Sequence, residues 1–140
     1  MSEETHRNVS LTRTSRGHYE AVNPRGGRLH FGSGDDESFT PVELLLTAIA
    51  GCSAIDVDFI TSKRSEPARF ELRMTADKVR DEQGNHLTDL VLTFDVAFPE
   101  DEAGAAAASV LESAVNASHD RLCTVSRTVE IATPVEVRVE

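Results

Sequence analysis

Cysteine is scarce in this sequence: Cys52 and Cys123 are the only two in 140 residues. Two are too few for a disulfide framework and too few for a cysteine-only zinc site. Basic residues are also short, with 14 Lys and Arg against 24 Asp and Glu, giving a formal net charge of −10. Binding to nucleic acid or to an anionic membrane draws on clustered cations, so neither is expected as the main partner. His6, His18, His30, His86 and His119 form no metal-binding spacing. A Gly-rich phosphate loop and a serine-nucleophile elbow are likewise missing from the sequence. No metal and no cofactor are therefore expected. The first ten residues, "MSEETHRNVS", have no apolar core and do not read as a secretory leader. Residues 41 to 61 are rich in apolar side chains, but Glu43, Asp56 and Asp58 interrupt them. A membrane span needs about 20 residues with few or no charges. A soluble, cytoplasmic protein with reduced thiols is the expectation.

What is present fits one ordinary globular domain over residues 1–140, with 39 % hydrophobic and 27 % charged residues. "NVSLTRTSR" sets Val9 and Leu11 against Ser10 and Thr12 and predicts a half-buried strand. "GHYEAV" follows as its hairpin partner, "NPRGG" at 23 to 27 as a second turn, and "RLHFG" as a third strand. Thr40, Pro41 and Glu43 then mark a helix start, as N-cap, first-turn proline and capping-box acid. The helix is predicted to run to about Lys63-Arg64. "RFELRMTADKV" and "HLTDLVLTFDVAF" predict a second hairpin, placing Phe70, Leu72 and Met74 with Leu90, Leu92, Phe94 and Val96. "DEAGAAAASVLESAVNASHD" reads as an Ala-rich helix packing through Val110, Leu111 and Val115. "RLCTVS" reads as a connector, and "TVEIATPVEVRVE" as a last strand alternating Val135, Val137 and Val139. The predicted order is βββ-α-ββ-α-β, an α+β fold with antiparallel sheet.

Two features of the central helix stand out. Leu44, Leu45, Leu46, Ala48, Ile49, Ala50, Ile55 and Val57 cover most of its circumference, so sheet or a second subunit must enclose it. Within it, "GCSA" puts Cys52 among small residues, which admit another backbone or a substrate closely. A buried cysteine is ordinarily a small core hydrophobe. Cys123 follows a helix in a polar segment, with Arg121 and Arg127 nearby to favour a thiolate. His119, four residues before it, could serve as its base or simply end a helix at the surface. The residues alone leave two readings open, a pair of buried thiols or a redox pair.

"PVELLLTAIAGCSAIDV", with "RLCTVS" some seventy residues later and a Val-rich terminal segment, resembles the OsmC/Ohr family, closest to its OsmC-like branch. The resemblance implies antiparallel sheets wrapped around long central helices in an intertwined homodimer. It implies thiol-dependent reduction of hydroperoxides as part of oxidative stress defence, with no cofactor and with a dithiol as reductant. Carried over by motif, Cys52 would be the peroxidatic thiol and Cys123 the resolving one. The family also uses an arginine from the N-terminal strands and a glutamate at the start of the central helix. Arg16 aligns best with that arginine, with Arg25 and Arg28 as alternatives. Glu43 stands nine residues before Cys52 rather than the family's ten, and Thr124 replaces a proline often found after the second cysteine. A non-catalytic dimer that binds a small ligand or senses oxidation through the same thiols is the alternative. A thioesterase-like hotdog fold ranks third, since no carboxylate with a catalytic partner is evident.

Overall fold

A computed structural model describes residues 5–140. The leader expectation bears partly on residues 1–4, which lie outside the described residues. The chain falls into two compact units, residues 1–45 and 46–140.

The first unit is built on a three-stranded antiparallel meander of β1 (Ser10–Ser15), β2 (His18–Val22) and β3 (Arg28–Gly32). The β1–β2 turn is Arg16-Gly17, with Gly17 at φ 76°, a left-handed conformation that glycine adopts without cost. The second turn is fastened by Asn23, whose Oδ1 accepts the backbone N–H of Arg25 and of Gly27 at 3.0 and 2.9 Å. Tyr19 and Phe31 face each other across β2 and β3, their rings stacked at 5.7 Å. β1 was expected to be half-buried, but all six of its residues are exposed. Its period-two pattern made the strand without a layer of this chain to cover its apolar side.

Helix α1 (Pro41–Thr61) starts where the cap residues predict. Thr40 Oγ1 accepts the Glu43 N–H at 3.2 Å while Glu43 Oε1 accepts the Thr40 N–H at 2.9 Å, a reciprocal capping box. The helix stops at Thr61, just short of the predicted Lys63-Arg64. Only Ile49, Ser53, Val57 and Thr61, four residues apart on one line, are buried. Ile55 and Phe59 are exposed, Phe59 by 67 %. By length and apolarity α1 could cross a membrane, but Asp56 within it accepts a hydrogen bond from Ser118 Oγ at 2.9 Å. That contact is the packing of a helix inside a protein.

In the second unit a long hairpin pairs β4 (Arg69–Asp81) with β5 (Gly84–Ala97). The register sets Phe70 against Val96, Leu72 against Phe94 and Met74 against Leu92, as the alternation requires. Phe70 and Phe94 meet edge to face at 6.5 Å. Near the middle, β5 carries one residue more than β4, and Asp89 takes φ 54° there, a bulge that bends the ribbon. Helix α2 (Glu102–Ala117) is capped by Asp101, whose Oδ1 accepts the Gly104 N–H at 2.7 Å. Its most buried positions are Gly104, Ala107 and Ala114, so small residues bring the helix in closely, while Val110, Leu111 and Val115 are half-buried.

The C-terminal part departs from the sequence expectation. α2 widens into a π-helical turn, Ser118–Leu122, and the chain then re-enters helix as α3 (Thr124–Glu130). The segment predicted as a connector therefore opens a short helix, and Thr128 to Glu130, predicted as strand, complete it. Residues 133–140 form no strand, leaving Val135, Val137 and Val139 exposed by 86, 82 and 96 %. Their alternation is a strand pattern, but a strand exists only where another strand accepts its hydrogen bonds. The described order is βββ-α-ββ-α-α. The α+β class with antiparallel sheets stands.

A Cβ added at Gly104 would collide with the Pro99 carbonyl oxygen. Gly104→Ala should therefore destabilise the fold by about 1–3 kcal/mol, the usual cost of overpacking. Denaturant unfolding of the purified variant checks this, with an unchanged midpoint as the contrary result.

Candidate functional site: a dithiol beside an apolar cavity

Both cysteines belong to the second unit and are free thiols. α1 presents Cys52 one position from the buried line that includes Ser53. The break between α2 and α3 presents Cys123. There the π-helical turn closes with the Cys123 N–H on the Ser118 carbonyl at 2.9 Å. Cys123 itself is extended, at φ −75° and ψ 101°, and acts as N-cap of α3. Its Sγ accepts the Ser126 N–H at 3.4 Å and lies 3.3 Å from Ser126 Oγ. The side chains of Ser53 and Cys52 lie close enough to Cys123 to perturb its thiol, so the two thiols are neighbours.

The two sulfurs are not electrostatically equal. Burial pushes the Cys52 thiol above its ordinary value. A bond from the Val125 N–H works the other way, but sharing a proton with Cys123 and the Asp56 carboxylate add to the rise. For Cys123 burial again acts upward, but donors from the Ser126 side chain and backbone, Ser53 and Cys52 outweigh it and hold the thiol below its ordinary value. Of the pair, Cys123 is the sulfur whose negative charge this chain solvates.

An apolar cavity of about 630 Å³ is lined by Ser53 and Ser126, beside the cysteines in the chain fold, though by neither cysteine itself. Ile49, Met74, Leu92 and Phe94 supply apolar surface. His119 and Glu130 add polar groups, paired Nε2 to Oε2 at 3.4 Å. His119 also lies 3.1 Å from Asp120 through Nδ1. The histidine is thus engaged by two carboxylates, and among the described residues no hydrogen bond joins it to Cys123. Sequence spacing had not singled out Ser53, Ser126 or Glu130. The only signal for Ser126 was its place three residues after Cys123, the N3 position of a helix that sequence reading took for a connector.

Glu43 is occupied by its capping box with Thr40. Arg16 lies exposed in the β1–β2 turn, and Arg25 is exposed in the next turn. Arg28 is committed to Glu20, Nη1 to Oε1 at 2.6 Å. These residues belong to the first unit and the cysteines to the second. Also in the first unit, folding brings His18 Nε2 to 3.3 Å from Asp35 and 3.6 Å from Asp36, a cluster that sequence spacing hid.

His119 should titrate above the ordinary histidine value of about 6.5, because the Asp120 and Glu130 carboxylates favour its cation. A raised folded-state pKa means the pairing stabilises the fold fully below the unfolded value. That stabilisation is lost as pH rises through the folded one. Histidine-resolved NMR titration should show the midpoint moving down in Glu130→Gln.

A family model for OsmC-like proteins matches residues 34–138. No curated protein matches the sequence significantly. Among solved structures, an OsmC-like protein from Mycoplasma pneumoniae superposes with a TM-score of 0.71 at 12% identity, over 89% of this chain and 87% of that one. A hypothetical protein from Aquifex aeolicus gives 0.73 at 22% identity, over 91% and 89%. The organic hydroperoxide resistance protein OhrB of Bacillus subtilis gives 0.51 at 17% identity, over 86% and 90%. At these identities the superpositions establish a shared fold. With the family match over most of the length, they place this chain in the OsmC-like protein family.

Proposed function

We propose that this protein is a stress-related, thiol-dependent reductase of organic hydroperoxides, acting as a single-domain OsmC-like homodimer in the cytoplasm. The observation that carries the reading is the proximity of Cys52 and Cys123, whose neighbours Ser53 and Ser126 line an apolar cavity. Two neighbouring thiols can exchange between dithiol and disulfide when their Cα atoms come within about 7 Å. The apolar walls favour an alkyl or aryl hydroperoxide over hydrogen peroxide. The name of the Bacillus subtilis neighbour, a hydroperoxide resistance protein, agrees with that substrate class.

Cys52 thiolate attacks the outer peroxide oxygen, breaking the O–O bond and releasing the alcohol after protonation. The sulfur is left as a sulfenic acid. Cys123 thiolate then attacks that sulfur and expels hydroxide, giving the Cys52–Cys123 disulfide. A dithiol reductant restores both thiols by exchange. Cys52 is raised by burial and Asp56, so attack requires a positive charge beside it. Arg16 is the group proposed to supply it from the partner protomer, because Arg28 is already held by Glu20. Glu43 then acts on the site only by fixing the start of α1.

The cavity also suits the non-catalytic reading, in which an apolar ligand binds and the thiols report oxidation. Peroxide consumption under a dithiol separates the two. Reductase activity should be greater with tert-butyl hydroperoxide than with hydrogen peroxide. Cys52→Ser should fall to the uncatalysed background, and Cys123→Ser should complete the first oxidation of Cys52 but fail to turn over. No consumption by the wild type, together with tight binding of an apolar probe, favours the ligand-binding reading.

The homodimer rests on apolar surface that the chain leaves open. Ile55 and Phe59 on α1, Leu11 on β1, and Val135, Val137 and Val139 at the C-terminus are all exposed. Large apolar side chains left open in this number are what a partner subunit covers. A Cβ added at Gly51 would meet nothing within 4 Å, so the close approach that glycine permits is not used within the protomer. Sedimentation at micromolar concentration should show a dimer, and Phe59→Glu should shift it toward monomer. A compact wild-type monomer would reject this assembly.

A further inference from the structure

We infer that a thiol reductant opens the Cys52–Cys123 disulfide by attacking the Cys52 sulfur, so that Cys123 departs as a thiolate held by Ser126 and Ser53. This rests on the proposed dithiol chemistry and specifies its reductive half. Two geometric facts direct the attack. Cys123 is completely buried, at 0 % exposure, whereas Cys52 is partly exposed. An incoming thiolate therefore reaches Cys52, and the sulfur that must leave is the one behind it. Cys123 is also the sulfur with polar partners: its Sγ accepts the Ser126 N–H at 3.4 Å and, as a thiol, donates to Ser126 Oγ at 3.3 Å. That hydroxyl can turn to donate to the thiolate, and Ser53 favours the same charge. Cys52 has one backbone donor, from Val125, and the Asp56 carboxylate opposes its charge.

Thiol–disulfide exchange is faster when the leaving sulfur is the more stable thiolate. The lowered Cys123 pKa agrees with this direction. In the exchange the reductant thiolate forms a new S–S bond to Cys52 as the Cys52–Cys123 bond breaks, with its electron pair going to Cys123. The second thiol of a dithiol reductant then attacks its own half of the mixed disulfide. Cys52 is released as a thiol and the reductant becomes a cyclic disulfide. Electrons balance at two per turnover. Ser126 and Ser53 act as positioning residues through Cys123 and touch no substrate in this step.

The test uses the full chain, oxidised with diamide so that no peroxidase step is needed, and reduced with dithiothreitol. Free thiols in acid-quenched samples are counted by a maleimide mass tag. Ser126→Ala should slow reduction severalfold and raise the Cys123 thiolate titration followed by ultraviolet absorbance. Ser126→Thr, which keeps the hydroxyl, should restore both. A rate that is unchanged or faster in Ser126→Ala overturns the inference, because it means that Cys123 is not the leaving group. If circular dichroism shows Ser126→Ala unfolded, Ser53→Ala removes a hydroxyl donor from the same sulfur and must give the same slowing. Failure of diamide to form a Cys52–Cys123 disulfide is a separate result and overturns the dithiol reading together with this inference.

Discussion

The meeting of Cys52 and Cys123 depends on how one helix ends and the next begins. Had α2 continued as regular helix, position 123 would project wherever its phase dictated. Instead the π-helical turn at Ser118–Leu122 absorbs an extra residue, and Cys123 leaves helical geometry to cap α3. A cap residue turns its side chain back toward the first free N–H groups, here that of Ser126. The sulfur is thereby fixed against both its own helix start and the middle of α1. Ser118, in the same turn, ties the break to α1 through Asp56. The cavity wall, the unequal acidities and the exposure of only one sulfur follow from that placement.

A second constraint is the shortage of cover. The protomer buries few large apolar side chains, and one line of α1 accounts for several of its buried positions. The remainder of α1, with β1 and the C-terminal segment, carries apolar residues that the chain does not enclose. Water is a poor neighbour for such a surface, and a second copy removes it at the lowest informational cost, since the same residues serve twice. A thiol chemistry based on an apolar cavity and an assembly based on apolar surface then draw on one property of the sequence. The central helix is hydrophobic over most of its circumference.

The sequence by itself determined whatever is set within a few residues. The capping box of Thr40 and Glu43, the register of Phe70, Leu72 and Met74 against Val96, Phe94 and Leu92, and the turn at Gly17 all arise from local chemistry and period. The motif around Cys52, with Cys123 later in the chain, was enough to suggest the family. Tertiary structure alone decided whether those thiols are neighbours, because sequence separation carries no information about distance once the chain folds back. It also decided which of them holds charge more easily, since Ser53 and Ser126 reach Cys123 from different helices. Helix α3 went unread because four of the seven residues from Thr124 to Glu130 are β-branched and weak helix formers. The N-cap and the packing of Cys123 overrode that weak preference. The same limit explains residues 133–140. Alternation at Val135, Val137 and Val139 states what a strand would look like, and only a hydrogen-bonding partner can make it one.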